Sequence, residues 1–122
     1  FKAGERWFYE ANLAGMDLTS INLSDANLER ACFEGAVLYK ATMRGSVLFR
    51  ADFRNADLRR VNLVRSALYA TKFYGADLRG ANFSGANLHG VLMTKARYDI
   101  RTRWPRGFDP KRLGAILINS HD

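Results

Sequence analysis

The stretch ADLRGANFSGANL (residues 76–88) places a large apolar residue at every fifth position. The same spacing continues without interruption from Phe8 to Tyr98, through 19 consecutive repeats, and we call the large residue of each repeat its centre. An Ala or Ser stands two positions before most centres, and an Asn or Asp often lies between the two. Any fold proposed for the chain has to explain this period of five residues.

A period of five fits neither of the regular secondary structures. An amphipathic helix needs apolar residues about 3.6 positions apart, and a half-buried strand needs them 2 apart. On a helix, steps of five advance about 500° and scatter the centres over every face, whereas on one long strand the centres alternate between sides. A strict short repeat instead indicates a solenoid. Four repeats of five residues close a square coil of twenty residues, with the centre and the small residue inside.

The remaining positions of the repeat suit such a coil. Asn and Asp tolerate turns and bond to nearby backbone groups, and glycine suits a tightly turning corner. Glycine occupies the position two after the centre at Gly15, Gly35, Gly45, Gly75, Gly80, Gly85 and Gly90. Nearly five coils, stacked at the strand spacing of about 4.8 Å, form a rod about 23 Å long. We therefore predict an all-β solenoid.

The pattern A-(D/N)-L-x-x, as in Ala26-Asn27-Leu28 and Ala76-Asp77-Leu78, resembles the pentapeptide repeat family. The resemblance covers residues 8–98 and implies a right-handed quadrilateral β-helix. The segment from Tyr98 to Pro110 is similar to the tail that follows the last coil in many cyanobacterial-type members of that family.

The chain divides into three parts within one domain. Residues 1–7 form a lead-in that looks like the end of a preceding helix, because Gly4 is able to end one. Residues 8–98 form the β-helix, and residues 99–122 form a C-terminal cap and tail. Since the chain does not begin with Met, we expect a processed protein or a piece of a longer one.

The C-terminal part is predicted to cover the last coil. Asp109 as the N-cap and Pro110 at the first helical position predict a short α-helix, which Gly114 ends. Two roles are open for the apolar residues of this part, simple capping of the core mouth and a homodimer formed through this end. Those residues are Trp104, Phe108, Ile116, Leu117 and Ile118.

Charge is unevenly distributed along the chain. The net charge is +7, with six acids and three bases in residues 1–35 and six acids and sixteen bases in residues 36–122. The sequence has no apolar run of 18 or more residues that would predict a membrane span, and no signal peptide. A cytoplasmic location is favoured, with the periplasm and the thylakoid lumen as alternatives because of the unusual N-terminus.

Candidates for chemistry are scarce. Catalysis needs positioned acids, bases, nucleophiles or metals, and the chain has two His, one Cys and no spacing typical of a zinc site. We therefore expect no enzyme activity, no catalytic residue, no metal and no cofactor. Cys32 lies at an outward position, where it replaces the usual Asn or Asp. Asp57 and Asp77, with Arg59 and Arg79 two residues on, predict a ladder of surface ion pairs, each worth less than about 1 kcal/mol.

One side of the predicted coil carries apolar residues at outward positions. An exposed apolar patch often marks a partner surface, whereas stacking of equivalent side chains from coil to coil is the alternative explanation. The tentative partner-binding residues are Val47, Phe49, Tyr69, Tyr9 and Trp7.

Arginines are dense around the middle coils, and we call this group the basic belt. They spread over all four sides, so a solvated surface is favoured over a nucleic-acid site, which would use one face with aromatic residues nearby. The belt consists of Arg44, Arg50, Arg54, Arg59, Arg60 and Arg65.

The leading hypothesis is a non-enzymatic interaction or scaffold module with an unidentified protein partner. The alternative is binding of nucleic acid or another anionic partner through the basic belt, and nucleic acid is the less favoured of these. The resemblance also raises protection of DNA gyrase by imitation of DNA, as in some family members. That activity requires an acidic, rod-shaped dimer, and this short chain is basic.

Overall fold

The computed structural model describes residues 7–119, so residues 1–6 of the predicted lead-in and residues 120–122 of the tail, which include His121, lie outside the described residues. Parallel backbone bridges join residues that are twenty positions apart, from Trp7 with Asn27 to Asp77 with Arg97. The next bridge joins Asn82 to Arg103, so the last coil contains one extra residue. Stacked coils of twenty residues are the arrangement that the period of five predicts.

The coils are joined by the backbone itself. On a typical side, the N–H of the centre Leu28 donates to the C=O of Val47 at 2.7 Å, and the N–H of Val47 donates to the C=O of Ala26 at 3.0 Å. The N–H of Arg30, two residues after the centre, donates to the C=O of Phe49 at 2.8 Å. Since these bonds need no particular side chain, the outward positions of each repeat are free to vary.

Each corner of the coil holds a residue in the left-handed region. Seven of these are the predicted corner glycines. Eleven non-glycine residues of the repeat, including Arg30, Arg60 and Ala70, have the same geometry. Left-handed backbone costs an L-residue about 1–2 kcal/mol, so the coil imposes the corner against local preference. At Gly45 and Gly75 a Cβ would displace the side-chain oxygens of Asp25 and Asn55, so glycine is favoured at these two corners.

The core is a single column of centres with small residues between them. Four phenylalanines are fully buried within it, with ring centroids 4.7 Å apart for Phe33 and Phe53 and 5.4 Å apart for Phe53 and Phe73, both pairs nearly parallel. Phe83 follows Phe73 in an edge-to-face contact at 5.9 Å. The aromatic stack therefore continues through several coils.

Polar residues in the core are paired. Ser46, Ser66 and Thr71 occupy the small position, and their hydroxyl groups donate to backbone carbonyls at 2.6, 2.7 and 2.6 Å. Among the described residues, every buried side-chain nitrogen or oxygen has a hydrogen-bond partner. The core column is thus apolar at its centres, and the polar groups at its small positions are hydrogen-bonded.

The last coil ends in strand β1, Arg97–Tyr98, which pairs in parallel with strand β2, Ile116–Leu117, of the C-terminal part. Between them lies a 3-10 helix, Pro110–Leu113. The prediction of an α-helix here was wrong. Asp109 does cap this turn, but Gly114 at φ 85° ends it after four residues and donates its N–H to Lys111, because Ile116 must reach the backbone of the last coil.

The phenylalanine stack predicts that Phe53→Ala destabilises the protein by about 3–5 kcal/mol, because it removes a ring packed on both faces and leaves a cavity. Urea unfolding followed by circular dichroism measures the change. Ile100→Ala, at a side chain that is 81% exposed, is the control and should shift stability by less than about 0.5 kcal/mol. Equal losses in the two variants would contradict this description of the core.

Candidate interaction surface

An exposed aromatic column runs along one side of the β-helix. The register of twenty places Phe49, Tyr69 and His89 above one another, and we call these three residues the aromatic column. Phe49 meets Tyr69 edge to face with ring centroids 6.3 Å apart, and Tyr69 stacks on His89 at 5.6 Å. Phe49 and Tyr69 are 38% and 42% exposed, so the rings contact each other and solvent at once.

The structure separates the predicted partner-binding residues into two groups. Trp7 and Tyr9 lie on the same side in the first coil, with ring centroids 6.5 Å apart, and Trp7 is 71% exposed. Asn27 and Glu29 lie between this pair and the aromatic column. Val47 lies beside the column and is half-buried. His89 lies in the same column, as its spacing of twenty from Tyr69 implies, but it was not among the predicted partner-binding residues.

A ladder of Asp–Arg pairs occupies another side. In each pair the guanidinium binds the carboxylate two residues before it, at 2.7–2.8 Å, and the arginine backbone N–H donates to the same carboxylate at 3.1–3.2 Å. The first two pairs confirm the ladder predicted from the sequence, and the third extends it. The pairs are Asp57 with Arg59, Asp77 with Arg79, and Asp99 with Arg101.

These arginines line a shallow hollow of about 140 Å³, which we call the arginine hollow. The guanidinium of Arg59 lies over the ring of Tyr39, with 4.9 Å between its carbon and the ring centroid. Hydrogen bonds from Arg59 hold the pKa of the Asp57 carboxyl below its ordinary value, against the opposite effect of burial. Anchored guanidinium groups of this kind suit an oxyanion. The lining residues are Tyr39, Arg59, Arg60, Arg79 and Arg101.

The basic belt is not one surface. Two of its members are tied to carboxylates, Arg59 to Asp57 and Arg54 to Asp52. The other four are exposed and, within residues 7–119, form no ion pair; they are Arg44, Arg50, Arg60 and Arg65. The arginine hollow contains two belt members and gains two arginines from outside the belt.

Stacking of the coils also brings together Cys32, Glu34 and Asp52, whose ligand atoms lie within 4.8 Å of one another. The sequence did not suggest this group, because Asp52 is twenty residues from Cys32. Arg54 already binds it, with its guanidinium 2.8 Å from Asp52 and 3.3 Å from Glu34. Ion pairing with Arg54 therefore accounts for the two carboxylates of this cluster.

Only some of the predicted cap residues pack on the core mouth. Trp104 stacks on Phe83 with centroids 4.9 Å apart and on Phe108 at 5.1 Å, so the core stack continues out of the coil into the cap. Ile116 and Leu117 do not lie on the core mouth, since both are nearly half-exposed and β2 attaches through its backbone. The side chains of this part that pack against the core are those of Trp104, Phe108 and Ala115, and Ile118 is half-buried.

Sequence comparison accounts for the coil as a whole. The family model for pentapeptide repeats matches residues 8–45, 26–65, 46–85 and 62–97, with eight copies. The chain belongs to the pentapeptide repeat family. Pentapeptide repeat proteins form right-handed quadrilateral β-helices, which is the fold that the bridges with a register of twenty describe here.

Two solved structures from Nostoc are similar to this pentapeptide repeat protein. The pentapeptide repeat protein alr5209 from Nostoc PCC 7120 is 34% identical, with 95% of this chain and 88% of that chain covered and a TM-score of 0.51. HetL from Nostoc sp. strain PCC 7120, a protein involved in heterocyst differentiation regulation, is 27% identical, with 84% and 52% covered and a TM-score of 0.55. The chain thus spans about half of HetL.

No curated protein sequence is significantly similar to this chain. Within residues 7–119, no helix has the length and apolar character needed to span a membrane.

The lowered pKa of Asp99 in the ladder predicts that the stability of the protein depends on pH. Burial raises the pKa of this carboxyl, but hydrogen bonds from Arg101 and from the N–H of Gly80 outweigh burial and lower it. A lowered pKa stabilises the fold above the ordinary carboxyl value of about 3.9, and this contribution is lost as the pH falls through the folded-state value.

Asp99→Asn should therefore be less stable than the wild type by about 1–3 kcal/mol at neutral pH, and the difference should shrink toward pH 2. Urea unfolding at a series of pH values measures both. A difference that stays constant or grows as the pH falls would show that the ion pair is not responsible.

Proposed function

We propose that this pentapeptide repeat protein is a non-enzymatic interaction module that binds a protein partner through the aromatic column. The observation that carries the proposal is the pair of exposed, mutually packed rings of Phe49 and Tyr69. Aromatic residues are enriched at the centres of protein interfaces, and contiguous exposed apolar surface often marks such a site. The family supports the class of function, since pentapeptide repeat proteins are generally structural or interaction modules.

Rigidity favours the aromatic column as a binding surface. The backbone of Phe49 is bonded to the coil below by the N–H of Arg30, and that of Tyr69 by the N–H of Arg50, at 2.8 and 2.9 Å. Contact with the neighbouring ring restricts each side chain before any partner arrives. Fewer rotamers are therefore lost on binding, and less of the interaction energy is spent on ordering the surface.

Self-stacking is the competing explanation for the same rings. If Phe49 and Tyr69 serve the coil alone, replacing them should lower stability and leave binding unchanged. If they bind a partner, the loss should fall on affinity. Measuring both quantities in the same variants distinguishes the two explanations.

The arginine hollow supports a second candidate function, the binding of an anionic partner. Its guanidinium groups converge on one depression, and three of them are held in place by the Asp ladder. Arg60 forms no ion pair within the described part of the chain and leaves its charge available to a ligand. A phosphate group fits the chemistry of several fixed guanidinium groups.

For the aromatic column, Phe49→Ser with Tyr69→Ser should weaken partner binding by about tenfold or more, as expected for loss of interface anchors. Affinity capture from the native cell with quantitative mass spectrometry identifies the partner, and titration of the purified pair measures affinity. The control is Tyr74→Ser with Leu92→Ser, outward residues of the next side, of which Leu92 is 40% exposed. Equal capture by all three proteins would place the interface elsewhere.

For the arginine hollow, Arg60→Gln should weaken binding to mixed-sequence single-stranded DNA and reduce the slope of log affinity against log salt by about 1. Fluorescence anisotropy at several salt concentrations measures the slope. Arg44→Gln, an exposed arginine of the basic belt outside the hollow, is the matched control and should keep the wild-type slope. Salt-independent binding, or an equal effect of both changes, would argue against this candidate.

A further inference from the structure

The end of a β-helix leaves backbone hydrogen-bonding groups without a further coil, and the tail meets three of the four sides of the last coil. The C=O of Arg103 accepts from the N–H of Phe83 at 2.7 Å, and the C=O of Gly114 accepts from the N–H of Lys95 at 2.9 Å. Ile116 donates to the C=O of Ala96 at 2.7 Å. Within residues 7–119, the fourth side, residues 86–90, receives no backbone hydrogen bond from the tail.

The open groups on this side follow from the coil below it. There the N–H of Leu68 donates to the C=O of Asn87 at 2.9 Å, and the N–H of Ala70 donates to the C=O of His89 at 3.0 Å. The equivalent donors one coil higher are the N–H groups of Leu88 and Gly90, which have no hydrogen-bond partner among the described residues.

An acceptor completes the same edge. The C=O of Ser66 accepts from the N–H of Asn87 at 3.0 Å, and its equivalent one coil higher is the C=O of Ala86. Like the two N–H groups, this carbonyl has no partner among residues 7–119. Two donors and one acceptor therefore stand at strand spacing along one open edge.

Space for a strand lies directly beside the open edge. Residues 86–89 and 105–108 enclose a groove of about 350 Å³, which we call the end groove. Stacking of Trp104 on Phe83 and Phe108 holds the 105–108 segment across the core mouth. Gly107 is among the lining residues, and a Cβ placed on it would meet nothing within 4 Å.

We propose that the end groove binds an extended, acidic segment of a partner protein, which adds as a strand to the edge formed by residues 86–90. Leu88 and Gly90 donate their N–H groups to the incoming backbone, and the C=O of Ala86 accepts from it. Strand addition of this kind takes its affinity from main-chain hydrogen bonds and its specificity from the side chains around the edge. Exposed edges are otherwise covered or blocked in native proteins.

Charge determines the preferred side chains of the segment. The groove is lined by Arg106 and His89, and none of its lining residues is acidic. It lies in the part of the chain, residues 36–122, that carries sixteen bases and six acids. Phe108, Pro105 and Leu88 supply the apolar part of the lining. An alternating segment, with one face apolar and one acidic, matches both.

The test uses the chain of 122 residues and a display library of random decapeptides. We expect selected binders to be β-prone, to lack proline at their centre and to be enriched in Asp and Glu. Amide hydrogen exchange with a bound peptide should show new protection at Leu88 and Gly90. Failure to select a binder, binders without acidic residues, or protection at other amides would each overturn the proposal.

Two variants test the charge of the groove. Arg106→Glu should weaken peptide binding by about tenfold or more through like-charge repulsion. Arg112→Glu, an exposed arginine of the 3-10 helix outside the groove, should bind as the wild type does. Equal losses in both variants would show attraction to the overall positive charge and overturn the site.

The end groove shares one residue with the aromatic column, His89, and Tyr69 stacks on it. Phe49→Ser changes a ring that contacts Tyr69 and does not line the groove, so this variant should retain the peptide. Loss of peptide binding in that variant would overturn the proposal of a separate groove. A protein partner that does not bind the aromatic column would contradict the proposed function and would not affect the groove proposal.

Discussion

The structure depends on the backbone hydrogen bonds between residues one coil apart. Each side contributes N–H groups that donate to the next coil and one that donates to the previous coil, with N···O distances close to 2.7–3.0 Å. These bonds fix the rise and the register, and the left-handed corners follow because the chain must turn after every five residues. The cost of placing residues such as Arg30 and Arg60 in that conformation is offset by the bonds that the corner makes possible.

A scaffold held by its backbone separates stability from recognition. The inward positions are confined to large centres and small partners, since the column is narrow and its centres from Leu18 to Tyr98 are buried. The outward positions have no such constraint, and every coil offers them on four flat sides. Surface features are therefore columns of side chains at a spacing of twenty residues, such as Phe49, Tyr69 and His89 on one side and the Asp–Arg pairs on another.

Predictions from the sequence were accurate for features that follow the repeat and less accurate where the repeat ends. The burial of the centres from Leu18 to Tyr98 and the first two Asp–Arg pairs followed from the period alone. The first coil departs from it, since Met16, at the small inward position before Leu18, is 46% exposed. The third pair, Asp99 with Arg101, did not, because Arg97 occupies the position twenty residues after Asp77 and Asp99 lies two residues further on. At the cap, Asp109 and Gly114 correctly marked the ends of a turn. Its helix type depended on the length of chain needed to reach β1, which local residue preferences do not contain.

The candidate surfaces show the same limit. Phe49 and Tyr69 could be placed in one column by counting, but the ion pairs that remove Arg54 and Arg59 from the basic belt depend on side-chain conformation. The open edge at Leu88 and Gly90 depends on where the tail runs after the last coil. Such features arise from the path of a non-repeating segment, so a repeat pattern cannot predict them.

The central claim, that a register of twenty residues carries the fold, is tested most directly by removing one coil. Deletion of residues 46–65 takes out twenty residues and joins Gly45 to Ser66 with every centre still in phase. Deletion of residues 46–64 takes out nineteen and shifts every later centre by one position. Circular dichroism during thermal unfolding should show a cooperative transition for the first protein and a transition at a clearly lower temperature for the second, because the structure places its one extra residue in the last coil and not between inner coils. Equal behaviour of the two deletions, whether folded or unfolded, would contradict the claim.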